Sequence, residues 1–542
     1  MNYLNKILRD AYKKFLSKFQ NCLFLVSKSE RVNVFLVFVI FAAALSNFQL
    51  VTVWSHYFDT TFMMQVLSSI KETGVPTASL NFQEAHSTFT LNVGDLCKAD
   101  LIPSGRSNNI LTVHAYFILY PLALLTWFFP AYAVLAMVNG VSFIAIIYII
   151  YWVIRKQNIP VVGSIVFCAL VVAHPAWSHA AMGQFYSDRF FMPLGLLYAV
   201  LLYDALGRHN IRGSNLLFIL AVGLLAASTT ERAAVMIAMF NMALLVLFKS
   251  SITDIKTRIV LVTFTIGLIL YVFLYLKFLQ VNYGGTASLI EFIQGISGFF
   301  SRIQNPVHAG KMQEFLVINV LLFGVLSIFN WRLGLIAFAV LLPNLLLTIG
   351  GAEKNGWSTH YHSMYFPFLV FSAAMGFSRL WHLLSAAKYR LVLIGLLMTL
   401  IPVISSFSLG YRGQQGTAIR LYNFYVDGSK SYEKQGLIQI HKIAAAIPEG
   451  VKVTTSESFM PILYNNRTIY YYPMGIDTAD YAVLRKVNKS DGTFYYSGAI
   501  SYVGEEFEKN MCLNQRLKGS GFNLDKPRLL IGDMAVFERN KP

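Results

Sequence analysis

The chain has 542 residues, of which 56% are hydrophobic and 13% charged, with a formal net charge of +17. A soluble protein of this length carries about a quarter charged residues, so the composition excludes an ordinary soluble fold and points to a polytopic membrane protein. The positive balance does not point to nucleic acid, because Lys and Arg gather in short segments between apolar runs, as the positive-inside bias requires.

Residues 1–33 carry seven Lys or Arg around a short, interrupted apolar part. They make a poor signal peptide and read as a cytoplasmic basic helix at the membrane surface. The first span is expected over 34–54, "VFLVFVIFAAALSNFQLVTVW". A large external loop, 55–130, follows. It opens with Asp59 at the head of a stretch that repeats Phe62, Val66 and Ile70 at spacings of four, the pattern of an amphipathic helix. Asp59 there either caps the helix or also does chemistry, and the sequence leaves both readings open. Further on, 112–129 is apolar, but counting it as a span would put Arg155 and Lys156 outside. It is expected as a helix lying against the outer membrane face.

Ten further spans are expected at 131–154, 158–176, 185–206, 215–230, 232–249, 259–280, 313–329, 333–350, 363–383 and 391–409. That gives about eleven in all, each near the twenty residues a bilayer needs. Every inner loop in this arrangement is basic, with Arg155, Arg208, Lys256, Arg332 and Arg390 among its residues. Residues 410–542 differ. They hold strand-like pieces ("VKVTTS", "RTIYYYP", "YAVLRKV", "GTFYYSG", "RLLIGDMAVFER"), a helical piece ("SYEKQGLIQIHKIAAAI") and turn signals. A soluble α/β or α+β domain on the outer side is expected. The four cysteines form no CxxC motif. Cys97 and Cys512 would share the oxidising side, where a disulfide or two free thiols remain alternatives.

This topology sorts the polar residues. His56 and Asp59 are three apart. "QFYSDRFFMP" places Asp188 and Arg189 at the outer start of a span, and "STTERAAVM" places Glu231 and Arg232 at an outer hairpin. "EKNGWSTHYHSMYFP" brings Lys354, His360 and His362, whose HxH spacing shares a face if extended. His114 lies in the first loop. Charges near span ends are costly unless paired or functional. One depth holding acids, bases and cations suits a substrate with a lipid tail and a phosphate-bearing head. Arg189, Arg232 or Lys354 could hold the phosphate and a carboxylate could act as general base. There is no Walker A or Rossmann motif, so ATP-driven transport lacks its usual parts.

The order of these features resembles the GT-C superfamily of membrane glycosyltransferases, which use polyprenyl-phosphate-linked sugars. The carrying residues are Phe58, Asp59 and Gln65 after the first span, His114 and Pro121, "QFYSDRFFMPLGLLY", Glu231, "STHYHSMYFPFLVFSAAMG" and "IPEGVKVTTSESFMPILYNNRTIYYYP". They lie within residues 34–490, and their order is closest to an uncharacterised bacterial branch of that clan. The resemblance implies a GT-C-like membrane domain over 34–409 and a periplasmic domain over 410–542 in a bacterial inner membrane. It implies Asp59 as base and Asp188 as a second acid that positions acceptor or metal. It further implies an inverting transfer from a polyprenyl-phosphate sugar to a glycan, lipid or protein acceptor. Asp59 stands alone, without the Asp-x-Asp pair of some relatives, which leaves a divalent metal optional. The alternative functions are a transporter or flippase of a lipid-linked saccharide, or a non-catalytic component of polysaccharide assembly. A transporter would place polar groups at mid-membrane, where Asn241 and Asn344 are the few present.

Overall fold

The structure, a computed structural model, describes residues 30–540 apart from 53–57, 79, 81–86, 104–107, 113, 179–180, 182–184, 207–212, 249–253, 281–297, 299–300, 302–303, 347–359, 385, 411–416, 465–467 and 499–504. The expected N-terminal surface helix therefore falls almost wholly outside the described residues.

The first helix is α1 (Glu30–Val51). Helix α2 (Phe58–Thr73), the short α3 (Val93–Lys98) and α4 (Leu119–Leu125) belong to the first loop. The bundle continues through α5 (Ala131–Lys156), α6 (Val161–Ala173), α7 (Phe191–Leu206), α8 (Gly213–Ala227), α9 (Glu231–Leu247) and α10 (Ile255–Leu274). Helix α11 (Pro306–Asn319) runs through a π-turn into Val325–Ile328. Helices α12 (Trp331–Leu346), α13 (Phe366–Leu383) and α14 (Ala387–Gly410) complete it.

These helices overlap the stretches expected as spans. Among the described residues, five segments are long and apolar enough to cross a membrane by themselves: Glu30–Val51, Ala131–Lys156, Ser187–Leu206, Ile255–Phe278 and Ala387–Ile404. Others are shorter. The thirteen residues of α6 rise only about 20 Å, and the chain goes on into a one-turn helix, Pro175–Ser178. The expected surface helix at 112–129 is corrected. Only Leu119–Leu125 is α-helical there, preceded by a 3-10 turn at Ile110–Thr112. The intervening backbone bonds elsewhere, with Ile118 N–H donating to the Ser228 carbonyl. Trp127 and Phe128 remain exposed, as a membrane-facing edge would.

Local chemistry sets several boundaries. Helix α5 starts after Pro130 and closes on Arg155 and Lys156, whose charges suit the negative end of its dipole. Asn158 then turns the chain with φ near 59°, and Pro160 precedes α6. At the same end, Glu30 receives both Nε and Nη2 of Arg155 (2.6 and 2.8 Å) and the Tyr151 hydroxyl (2.8 Å). This forked pair clamps α1 to α5. Two glycines mark the closest crossings. A Cβ at Gly140 would meet the Ser46 backbone nitrogen at 2.6 Å, and one at Gly376 would meet the Leu326 carbonyl oxygen at 1.9 Å. Small residues at such positions let helix backbones approach without lipid between them.

The C-terminal part adds α15 (Thr417–Tyr425), α16 (Tyr432–Ala445) and α17 (Glu506–Gly519) around a mixed sheet. With β1 (Thr77–Ala78) and β2 (Asn108–Asn109) forming a small pair in the first loop, the sheet strands are β3 (Lys452–Thr455), β4 (Thr468–Tyr471), β5 (Tyr481–Asn488), β6 (Phe494–Ser497), β7 (Leu529–Ile531) and β8 (Met534–Glu538). Their order is β4-β3-β5-β8-β7, with β6 on the far half of β5. The β3–β4 and β3–β5 pairs are parallel, with Val453 opposite Ile469 and Tyr481, and the remaining pairs are antiparallel.

Two hydrophobic cores result. One fills the helical bundle. The other is shared by α2, the first loop, α4, the start of α5 and the sheet domain. The sheet domain is therefore packed on the first loop. A disulfide, Cys97–Cys512, joins α3 to α17 across a separation of 415 residues. Around it, Arg516 pairs with Asp477 and donates to the Ala99 carbonyl, Gly475 N–H donates to the Leu101 carbonyl, and Lys509 Nζ donates to the Phe89 carbonyl. Burial opposes ionisation of Asp477, but its bonds from Arg516 and Ser520 hold its carboxyl below the usual range.

Candidate functional site

The loop end of the bundle gathers acids from four distant segments. Asp59 lies in the first turn of α2, where a negative charge is favoured by the helix dipole. Its Oδ2 accepts a hydrogen bond of 2.6 Å from the Tyr186 hydroxyl, 127 residues away. Tyr186 precedes a 3-10 turn, Ser187–Phe190, that leads into α7. That turn carries Asp188 and Arg189, both buried. The Arg189 guanidinium lies 5.1 Å from the centre of the Tyr186 ring, and its charge acts on Asp59 as well as on Asp188. A cation stacked on the phenol that holds Asp59 keeps that carboxylate compensated in a partly buried place.

The second group is built on Glu231. It begins α9, and its carboxylate is saturated by His114 Nδ1 (3.0 Å), the backbone N–H of Ala115 (3.0 Å) and the Thr230 hydroxyl (3.0 Å), with Arg232 Nε at 3.8 Å. Glu231 thereby fixes the 114–115 segment of the first loop to the start of α9 and orients the His114 ring. His114 stacks on Tyr116 with ring centres 5.0 Å apart, and Asp188 lies beside Tyr116 in the field of His114, Arg232 and Glu231. The two groups meet at the adjacent residues Asp188 and Arg189.

The sheet domain contributes a third side. The one-turn helix Met460–Leu463 packs on α2, and the Tyr464 hydroxyl donates to Ser68 Oγ at 2.7 Å. Just before it, Glu457 accepts a hydrogen bond from the Tyr471 hydroxyl of β4. Burial pushes the Glu457 carboxyl above its ordinary value, the Tyr471 bond opposes this, and the nearby charge of Asp59 adds to the rise. Burial raises the Tyr471 hydroxyl as well, and the charges of Glu457 and Asp59 add to the rise.

The sequence-derived candidates divide as follows. Asp59, Asp188, Arg189, His114, Glu231 and Arg232 come together at one end of the bundle. The 3-10 turn His360–Ser363 packs on the Ser187–Phe190 turn, which brings buried His362 to the same end. His56 and Lys354 lie outside the described residues, as does the side chain of His360. Among the described residues no group of three or more His, Cys, Asp or Glu is arranged to hold a metal ion. Sequence reasoning passed over Tyr116, Tyr186, Glu457 and Tyr471. Tyr186 and Glu457 stand inside stretches that do carry a signal, "QFYSDRFF" and "TTSESF", but a tyrosine or glutamate there has no spacing of its own to mark it.

Fold and site together define a polytopic α-helical membrane protein with a mixed-sheet domain packed on the loop end of its helices. The chain belongs to the DUF2079 family of predicted membrane proteins, which it matches over residues 49–492. No curated protein matches it in sequence. Solved structures similar to the chain include the following two. One is the oligosaccharyltransferase AglB from Archaeoglobus fulgidus, in complex with an inhibitory peptide and a dolichol-phosphate, at 10% identity and a TM-score of 0.45, over 89% of this chain and 76% of that one. The other is ArnT from Cupriavidus metallidurans bound to undecaprenyl phosphate, at 12% identity and a TM-score of 0.42, over 81% of this chain and 86% of that one.

Proposed function

We propose that this protein is a GT-C-type membrane glycosyltransferase that moves a sugar from a polyprenyl-phosphate donor to an acceptor hydroxyl at the outer face of a bacterial inner membrane. The observation that carries the proposal is the convergence of Asp59, Asp188, Glu231 and their cations at the seam between an apolar bundle and a packed polar domain. A lipid tail can lie along the bundle there while the sugar and acceptor stay in water. The Cys97–Cys512 disulfide supports an oxidising compartment for this end. Lys156, Arg332 and Arg390 at the opposite end support a cytoplasmic side there.

Asp59 takes the proton of the acceptor hydroxyl as its oxygen attacks the anomeric carbon. The bond from that carbon to the phosphate oxygen breaks, the polyprenyl phosphate leaves with the electron pair, and the anomeric centre inverts. Tyr186 and Arg189 hold Asp59 in place. Arg232, whose side chain keeps 27% of its exposure, is better placed to meet the phosphate than buried Arg189. The acceptor is a glycan, lipid or protein.

The test is Asp59→Asn in proteoliposomes supplied with a polyprenyl-phosphate sugar. Transfer is expected to fall at least about a hundredfold, the usual worth of a general base, with an unchanged melting curve. Full transfer by the variant removes Asp59 from the base role. Intact lipid-linked sugar carried across the bilayer, with no transfer by the native protein, makes it a transporter.

A further inference from the structure

The opposite end of the bundle holds a second site of different chemistry. Between α5, α7 and α13 runs a groove of about 430 Å³, lined by Trp152, Leu197, Val200, Tyr203, Phe371 and Met375. Gln157, Tyr203 and Met375 of its lining also line an adjacent cavity of about 570 Å³. That cavity is bordered by Arg332 at the start of α12 and by Arg379 and His382 near the end of α13. Apolar space thus lies beside cationic space at the helix ends.

The cations are set for a ligand. The Arg332 guanidinium is held between the rings of Phe248 and Trp331, at 5.7 and 5.5 Å from their centres. His382 Nε2–H donates to the Gln157 carbonyl at 2.7 Å, which braces the wall between groove and cavity. Among the described residues no carboxylate pairs with Arg332 or Arg379. The carboxylate lining the groove, Asp204, is paired with Lys156. Half-exposed Trp331 lies where aromatic side chains mark a membrane interface.

We propose that this composite site binds an anionic glycerophospholipid of the leaflet at that end. One acyl chain lies in the groove and the phosphate rests between Arg332 and Arg379. Guanidinium groups match a phosphodiester's planar pair of oxygens, and basic pockets between helices on the cytoplasmic side favour anionic headgroups. The lipid would tie together the ends of α5, α7, α12 and α13, independently of the chemistry at the other end.

The test uses the full chain purified in detergent, with native mass spectrometry and thermal unfolding on adding back phosphatidylglycerol or phosphatidylcholine. Phosphatidylglycerol is expected to remain bound and to raise the melting temperature by several degrees, with phosphatidylcholine doing neither. Arg332→Gln with Arg379→Gln is expected to weaken phosphatidylglycerol binding at least tenfold while the lipid-free melting curve stays put. The exposed single change Arg379→Gln, which carries little folding risk, is expected to show an intermediate loss. Glycerol 1-phosphate, which has the headgroup chemistry without chains, is expected not to displace the lipid. Equal binding of both lipids, undiminished binding by the variants, or displacement by glycerol 1-phosphate would each overturn the proposal.

Discussion

Glu457 shows how a residue's surroundings become a pH-dependent quantity. Its carboxyl is buried beside Tyr471 and in the field of Asp59, so its folded-state pKa lies above the ordinary 4.5. Above that value the unfolded chain has released the proton while the folded chain still prefers to hold it. The stabilisation from this group is thus complete below about pH 4.5 and is lost as pH rises through the folded value. At pH 7, above the unfolded value, that stabilisation is already reduced. Glu457→Gln, which still accepts the Tyr471 bond, is expected to unfold at a higher temperature than the native protein at pH 7. The gap should close on acidification to about pH 4, and a gap that grows instead would reverse the assignment. Asp59, Asp188 and Glu231 were legible in the sequence because each is a charge at the mouth of an apolar run. The tyrosines that organise them were not, since a tyrosine near a membrane interface is ordinary and nothing in its spacing shows which carboxylate it meets.

Helices were legible for a related reason. A bilayer imposes length and hydropathy together, and basic loops fix the direction of each pass, so α5 and α10 can be read almost to their ends. Segment 112–129 misled because apolarity alone does not make a helix. Backbone bonds such as Ile118 to Ser228 divert the chain around the ends of α8 and α9 before α4 begins, and Pro121 falls in the first turn of α4, where proline is tolerated. Nor could the sequence say which glycines carry a crossing. Gly376 is one such position, packed on the Leu326 carbonyl, whereas Gly395 meets nothing within 4 Å. Gly376→Val is therefore expected to force α13 away from Val325–Ile328 and to cost upward of roughly 2 kcal/mol, at the high end of overpacking. Gly395→Val should be close to neutral, because valine's better helix propensity than glycine's offsets its β-branching where there is room for the side chain. Denaturant titration in mixed micelles compares the two, and equal losses would mean that the α13 crossing tolerates side chains.

At the scale of the molecule, the sheet strands could be placed from alternation and turn residues, but nothing in them announced that the domain shares a core with α2 and the first loop. That union is a long-range event, settled by apolar residues such as Phe89, Leu96 and Leu101 that read locally as loop. It places Glu457 near Asp59, so packing of the domain and completeness of the site are one property. The Cys97–Cys512 bond closes a loop of several hundred residues, and bonds of this kind contribute roughly 2–5 kcal/mol by restricting the unpacked chain. Other contacts remain when it is removed: the Arg516–Asp477 pair, Lys509 to Phe89, Tyr464 to Ser68, and the shared core. Replacing both cysteines by serine is accordingly expected to leave the domain in place at room temperature but to release it on warming, before the bundle itself unfolds. Hydrogen exchange along α3 and α17 should accelerate in that window, while α5 and α7 stay protected. If α3, α17 and the bundle lose protection together in the variant, the domain has no separable packing equilibrium and its link to the site is covalent in name only.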